Sequence, residues 1–88
     1  MANYIVIYEG QAGSDKRAAL REAVKRYAGW GILTSNSWVV VAEHTAASLR
    51  DELRRLIGPN DRLFVVRSGV EAAWINVAAN SDWLKRNL

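Results

Sequence analysis

Short runs of β-branched and aromatic residues alternate along the chain with longer stretches in which apolar residues return every three or four positions. Asn3 to Tyr8 predicts a strand. Glu9 to Gly13 holds two glycines and predicts a loop. Ser14 is placed to cap a helix, with Asp15 in its electropositive first turn. Leu20, Ala23, Val24 and Tyr27 share one face of that helix, and Glu22 and Arg26 form a four-apart pair on the other. Gly29 and Gly31 are expected to end it. Ile32 and Leu33 begin a weakly signalled second strand, Thr34 to Ser37 reads as a turn, and Trp38 to Ala42 is a strong third strand. Thr45 is an N-cap for a second helix with the apolar face Leu49, Leu53, Leu56 and Ile57 and an outer Asp51–Arg55 pair. Gly58 and Pro59 stop it. Asn60 and Asp61 lead into a fourth strand, Leu63 to Arg67. Beyond Gly69, Ala73 to Val77 predicts a short fifth strand, and Ser81 caps a last short helix carrying Trp83 and Leu84.

The order strand–helix–strand–strand–helix–strand, with short loops and right-handed crossovers, leads to an α+β ferredoxin-like sandwich. A four-stranded antiparallel sheet carries two helices on one face. Residues 1–68 form the domain. Residues 69–88 form a C-terminal strand and helix extension that packs on the same domain or on a partner. The strands are apolar on both sides, with Tyr4, Val6 and Tyr8 opposed by Ile5 and Ile7, and Trp38 and Val40 opposed by Val39 and Val41. A sheet with one wet face should alternate. The helix-free face is therefore expected to be covered by a second copy of the chain, a homodimer whose interface draws on Tyr4, Tyr8, Trp38, Trp74 and Trp83.

Composition narrows the chemistry. At 88 residues the chain is one small domain, and with no cysteine it has neither a disulfide framework nor a thiolate metal site. A net charge of +3 permits a phosphate-backbone partner without demanding one. No apolar run approaches the ~20 residues that cross a bilayer, and no signal peptide is visible, so no membrane association and a cytoplasmic location are expected. His44 stands alone and reads as a surface residue near a helix start. The chain holds no Gly-x-Ser-x-Gly turn, and glycines 10, 13, 29 and 31 match no phosphate-binding fingerprint, which argues against an organic cofactor.

Glu9 follows the first strand directly at the edge of the apolar sheet. In a two-fold pair it would meet its own copy, and two such carboxylates suit Mg2+ or Mn2+. Taken from spacing alone, a solvated loop glutamate is the stronger reading. Lys16, Arg17, Arg21 and Lys25 flank the first helix, either as an ordinary solvated face or as contacts to a nucleic-acid backbone.

The segments Ile-Val-Ile-Tyr-Glu at 5–9, Ser-Asp-Lys-Arg at 14–17, Lys-Arg-Tyr-Ala-Gly at 25–29, Ser-Trp-Val-Val-Val-Ala-Glu at 37–43 and Asn-Asp-Arg-Leu-Phe-Val-Val at 60–66 resemble the small CRISPR-associated endoribonuclease family. That family is the smaller, dimeric partner of the spacer-acquisition integrase. Gly-Val-Glu-Ala-Ala-Trp at 69–74 and Ser-Asp-Trp-Leu-Lys-Arg-Asn-Leu at 81–88 are more similar to short bacterial proteins of the same fold labelled SinR family. Virulence-associated ribonucleases of the D type are distantly similar. The resemblance implies a ferredoxin-like dimer that binds RNA or duplex DNA, and a metal-binding catalytic acid at Glu9, where the family carries aspartate. It leaves two expectations open: a metal-dependent endonuclease, or a dimeric binding module that kept the fold without the chemistry.

Overall fold

A computed structural model describes residues 1–11, 13–69 and 71–88. Ala12 of the expected 9–13 loop and Val70 of the 69–74 segment lie outside the described residues. The elements run β1 (Ala2–Glu9), α1 (Arg17–Val24), β2 (Gly29–Thr34), β3 (Ser37–Ala42), α2 (Ala46–Leu53) with a 3-10 turn at Arg54–Leu56, β4 (Arg62–Arg67) and α3 (Ser81–Asn87). The four strands form one antiparallel sheet in the order β2-β3-β1-β4, the α+β arrangement of a ferredoxin-like fold.

Register explains the core. Tyr4 faces Val40 and Val6 faces Trp38 across β1 and β3, while Val6 faces Val65 and Tyr8 faces Leu63 across β1 and β4. Directly opposed residues share a sheet face. This set therefore lines one side, and Leu20 and Val24 of α1 and Leu49 and Leu53 of α2 close over it. Helix α2 starts as the sequence predicts: the Thr45 side chain accepts from the Ser48 amide, and the Ser48 hydroxyl accepts from the Thr45 amide. Of its expected apolar face, Leu49, Leu53 and Ile57 pack on the core, while Leu56 falls in the 3-10 turn and is exposed.

Several local expectations are corrected. Ser14 does not cap α1, whose N-cap Lys16 makes no side-chain cap bond; the Ser14 hydroxyl is drawn to Asp61 instead. Gly29 and Gly31 do not end a helix but lie inside β2, where the helix-stop reading mistook a requirement for space. Asn80, not Ser81, caps α3 by accepting from the Trp83 amide. Glu22 pairs with Lys25 and not Arg26, and Asp51 pairs with Arg50 and Arg54 and not Arg55. The described residues between Ser68 and Asn80 contain no strand, so the expected fifth strand at 73–77 is absent there.

The second sheet face is only partly open. Gly29 and Gly31 pair with Val41 and Val39, on the side away from α1 and α2. A Cβ on Gly31 would stand 3.1 Å from the Trp83 ring, whereas one on Gly29 would stand 3.0 Å from the Val41 side chain and in ordinary contact, 3.5 Å, with Trp83. Trp83 thus lies over the glycines of β2, and α3 covers the β2–β3 half of the face. Val39 and Leu84 are both fully buried yet stand apart from the core under α1 and α2. The extension therefore packs on its own domain. Ile7, Phe64 and Val66 on the β1–β4 half remain exposed. Tyr4 and Tyr8, expected at a dimer interface, and Trp38, read as core or interface, are buried beneath the chain's own helices.

Leu84→Ala should lower unfolding free energy by about 2–5 kcal/mol, the usual range for a buried leucine. Trp83 emission should shift to longer wavelength as α3 loosens. Denaturant titration followed by fluorescence checks both.

Candidate functional site: a polar rim and a basic helix ridge

The C-terminal end of β1 meets the β1–α1 loop, the β2–β3 turn and the α2–β4 loop. Asn36 holds the β2–β3 turn to the Tyr8 backbone, and Asp61 ties the end of β1 to the other two loops. Its Oδ1 accepts from the Gln11 amide at 3.0 Å. Its Oδ2 accepts from the Tyr8 hydroxyl at 2.7 Å, the Ser14 hydroxyl at 2.7 Å and the Gly58 amide at 2.8 Å. The Gln11 amide and the other donors hold the Asp61 carboxyl well below the usual carboxylate range. The Tyr8 hydroxyl in turn accepts from the Lys16 amide at 3.0 Å. Burial first, then its bond to Asp61, pushes the Tyr8 phenol up. Four donors saturate this carboxylate, so Asp61 anchors the loops and is not available as a base or metal ligand. Sequence reading passed over it because only the fold brings positions 8, 11, 14 and 58 to it.

Glu9 ends β1 on the open sheet face, in the row of Ile5 and Ile7, opposite Arg62 of β4. The Arg62 Nη1 donates to Glu9 Oε1 at 2.7 Å, and Gln11 Nε2 reaches the same oxygen at 3.5 Å. A hard divalent cation needs several oxygen ligands. Within one chain Glu9 offers one carboxylate with a guanidinium on it, and among the described residues no three His, Cys, Asp or Glu side chains converge. These residues do not fit Mg2+ or Mn2+ in a single chain.

The cations expected to contact nucleic acid form an ordered set. Arg17 and Arg21 lie one turn apart on the exposed side of α1, with Lys25, its C-cap, four residues on and Lys16 just before them. Helical neighbours four apart stack along one ridge. Arg17 is bound in two-pronged fashion by Asp15 at 3.0 and 2.9 Å, and Lys25 by Glu22 at 3.0 Å. Arg21 makes no ion pair among the described residues. Arg17, Arg21, Asp15, Ser35 and Trp38 border a cavity of about 340 Å³ beside the ridge. Beyond the ridge's end, Lys25 Nζ stands 5.6 Å from the centroid of the half-exposed Trp30 ring.

His44 belongs to a different cluster, at the opposite end of β1. Its Nε2 contacts Glu52, its ring meets Tyr27 edge-on at 5.4 Å, and its carbonyl accepts from the Tyr4 hydroxyl. Burial, then the Glu52 carboxylate, pushes the Tyr27 phenol up to about 12. His44 Nδ1 is buried without a partner among the described residues, so the ring packs between the helices and is less exposed than its sequence position suggests. Trp74, half-buried, donates from Nε1 to the Ser81 hydroxyl at 3.3 Å beside the start of α3.

No helix among the described residues is long and apolar enough to cross a membrane. No protein-family model, no curated protein and no solved structure matches the chain.

A carboxyl with a depressed folded-state pKa confers stability that is complete above its unfolded value of about 4 and is lost as pH falls through the folded value. Wild-type stability should therefore fall below about pH 4. Asp61→Asn, which turns an amide donor toward four donors, should be less stable at pH 7 and flatter in the acid limb. Urea midpoints measured from pH 7 to pH 2 on both proteins check this.

Proposed function

We propose that this chain is a cytoplasmic nucleic-acid-binding module that works as a pair and binds its RNA or duplex DNA partner without cleaving it. The observation that carries this reading is the ridge of Arg17, Arg21 and Lys25 along α1. A row of cations at about one helical turn per step tracks a phosphate backbone, and backbone contacts position without reading sequence. The pairs to Asp15 and Glu22 are exposed, and exposed pairs are worth only about 0–1 kcal/mol. Phosphates can displace those acids.

The pairing surface is the strip of Ile5, Ile7, Phe64 and Val66, with Phe64 60% exposed. The Glu9–Arg62 pair closes one end of it. A two-fold axis through the strip makes it self-complementary, with Glu9 free to exchange its own Arg62 for the partner's Arg62. This differs from the interface expected from the sequence, because Tyr4, Tyr8 and Trp38 are spent on the core. The resemblance to the CRISPR-associated endoribonuclease family supports both the pairing and the nucleic-acid partner. Binding is favoured over catalysis because, among the described residues, no group of three His, Cys, Asp or Glu side chains gathers around the acid on which cleavage would depend.

Light scattering at micromolar concentration should give the mass of a dimer, and Phe64→Asp should give a monomer of unchanged circular dichroism. A monomeric wild type sinks the pairing. Short RNA and duplex DNA should bind with an affinity that falls steeply with salt, and the double variant Arg17→Ala/Arg21→Ala should reduce the salt slope by about 2. Glu9→Ala should bind at least as tightly as wild type, and neither protein should cleave with Mg2+ or Mn2+ present. Absence of binding at low salt, or cleavage abolished by Glu9→Ala, contradicts the reading.

A further inference from the structure

The open edge of β2 borders a cavity of about 460 Å³ between the strand and the segment leading into α3. That volume lies within the range of ~300–1,000 Å³ usual for ligand sites. Trp30, Gly31, Ile32, Asn80, Trp83 and Arg86 are among its walls. Trp30 and Gly31 are neighbours in a strand, so they face opposite sides, and Trp83 lies on the glycine side. The cavity thus has one indole on each side of the strand edge. Among the described residues, Arg86 is its only charged lining residue and no acid borders it. Among the described residues, the 76–79 stretch meets the β2 edge by backbone hydrogen bonding at one point, the Ala78 amide donating to the Leu33 carbonyl at 3.2 Å.

We infer that this edge cavity is a stacking site for an unpaired base, so that the chain prefers single-stranded or overhanging nucleic acid at this position. The inference rests on the nucleic-acid reading above and deepens it. Two indoles beside cations suit a flat π-system carrying a negative charge, the pattern of sequence-tolerant single-strand binding. Charge complementarity selects the occupant: Arg86 stands at the cavity and Lys25 over the Trp30 ring, and both attract the phosphates that flank a base. Lys25 is also the last cation of the α1 ridge, so a backbone lying along that ridge is delivered to Trp30. A base inside a duplex is already stacked on both sides and cannot use an indole. Asn80 spends its Oδ1 on the Trp83 amide at 3.1 Å, which fixes Trp83 at the cavity wall. Gly31 matters for the same reason, since any side chain there would push the Trp83 ring outward.

The test is a low-salt titration with two labelled probes, an eight-nucleotide oligothymidylate and a blunt duplex. Wild type, Trp30→Leu, Trp30→Phe and Arg21→Ala are compared, each checked by circular dichroism. Trp30→Leu should weaken the single strand about tenfold, the loss expected for one base–aromatic stack, and change the duplex less than twofold. Trp30→Phe should recover most of the single-strand affinity, and Arg21→Ala should weaken both probes. If Trp30→Leu leaves the single strand within twofold while Arg21→Ala weakens both probes, the stacking site is overturned and the nucleic-acid reading stands. If wild type binds neither probe, both fall. Binding of an extended Glu-rich peptide at this edge with no binding of the oligonucleotide also overturns the inference.

Discussion

Much of this small domain depends on the contact of one indole with two glycines. A four-stranded sheet in a two-layer fold has a face that its two long helices do not reach. Here β2 carries no side chain at Gly29 or Gly31 on that face, and Trp83 occupies the space. The contact makes the C-terminal segment part of the domain. It buries Val39 and Leu84 in a second, smaller apolar layer. For a chain of 88 residues this matters, because small domains bury a low fraction of their surface and have little stability to spare. The same contact divides the sheet: the β2–β3 half is closed by the chain itself, and Ile7, Phe64 and Val66 on the β1–β4 half stay exposed.

The opposite device operates at the end of β1. There the backbone changes direction several times, and loop amides and hydroxyls need an acceptor away from bulk water. Asp61 supplies one to four donors from three segments. Because it is saturated, it confers rigidity and no chemistry. The neighbouring Glu9 is chemically freer but electrostatically occupied, held by Arg62 at 2.7 Å. Two acids near one end of the sheet thus take structural parts, while exposed cations lie beside α1, along α2 and β4, and near the end of α3.

Element order and sheet topology were legible in the sequence because β-branched runs and helical spacing report directly on which residues face a core. The strands 3–8 and 38–42 and the Thr45 cap are of this kind. The glycines were misread because glycine has two uses that look alike in one dimension. It ends helices through its backbone, and it opens space through its missing Cβ; at positions 29 and 31 the second applies. The apolar character of both sheet faces was also visible, but its cause was shared between the chain's own α3 and the exposed strip, a division that depends on where Trp83 lands. For the site, the cations flanking α1 are visible in the sequence, but their four-residue alignment depends on the helix that carries them. The Asp61 anchor and the Trp30–Trp83 cavity are not visible there, since each is assembled from residues far apart in sequence.

The domain thus has the β2–β3 half of one face packed by its own α3, an exposed apolar strip on β1 and β4, and exposed cations beside α1 near an aromatic edge. The packed half and the aromatic edge require Trp83 to lie on β2 of its own chain. The direct measurement is proton NMR of the dilute protein. Ring current should move the Gly31 α-protons well upfield of their random-coil position, and nuclear Overhauser contacts should join them to the Trp83 indole ring. Random-coil Gly31 shifts with no contact to Trp83 would contradict the account.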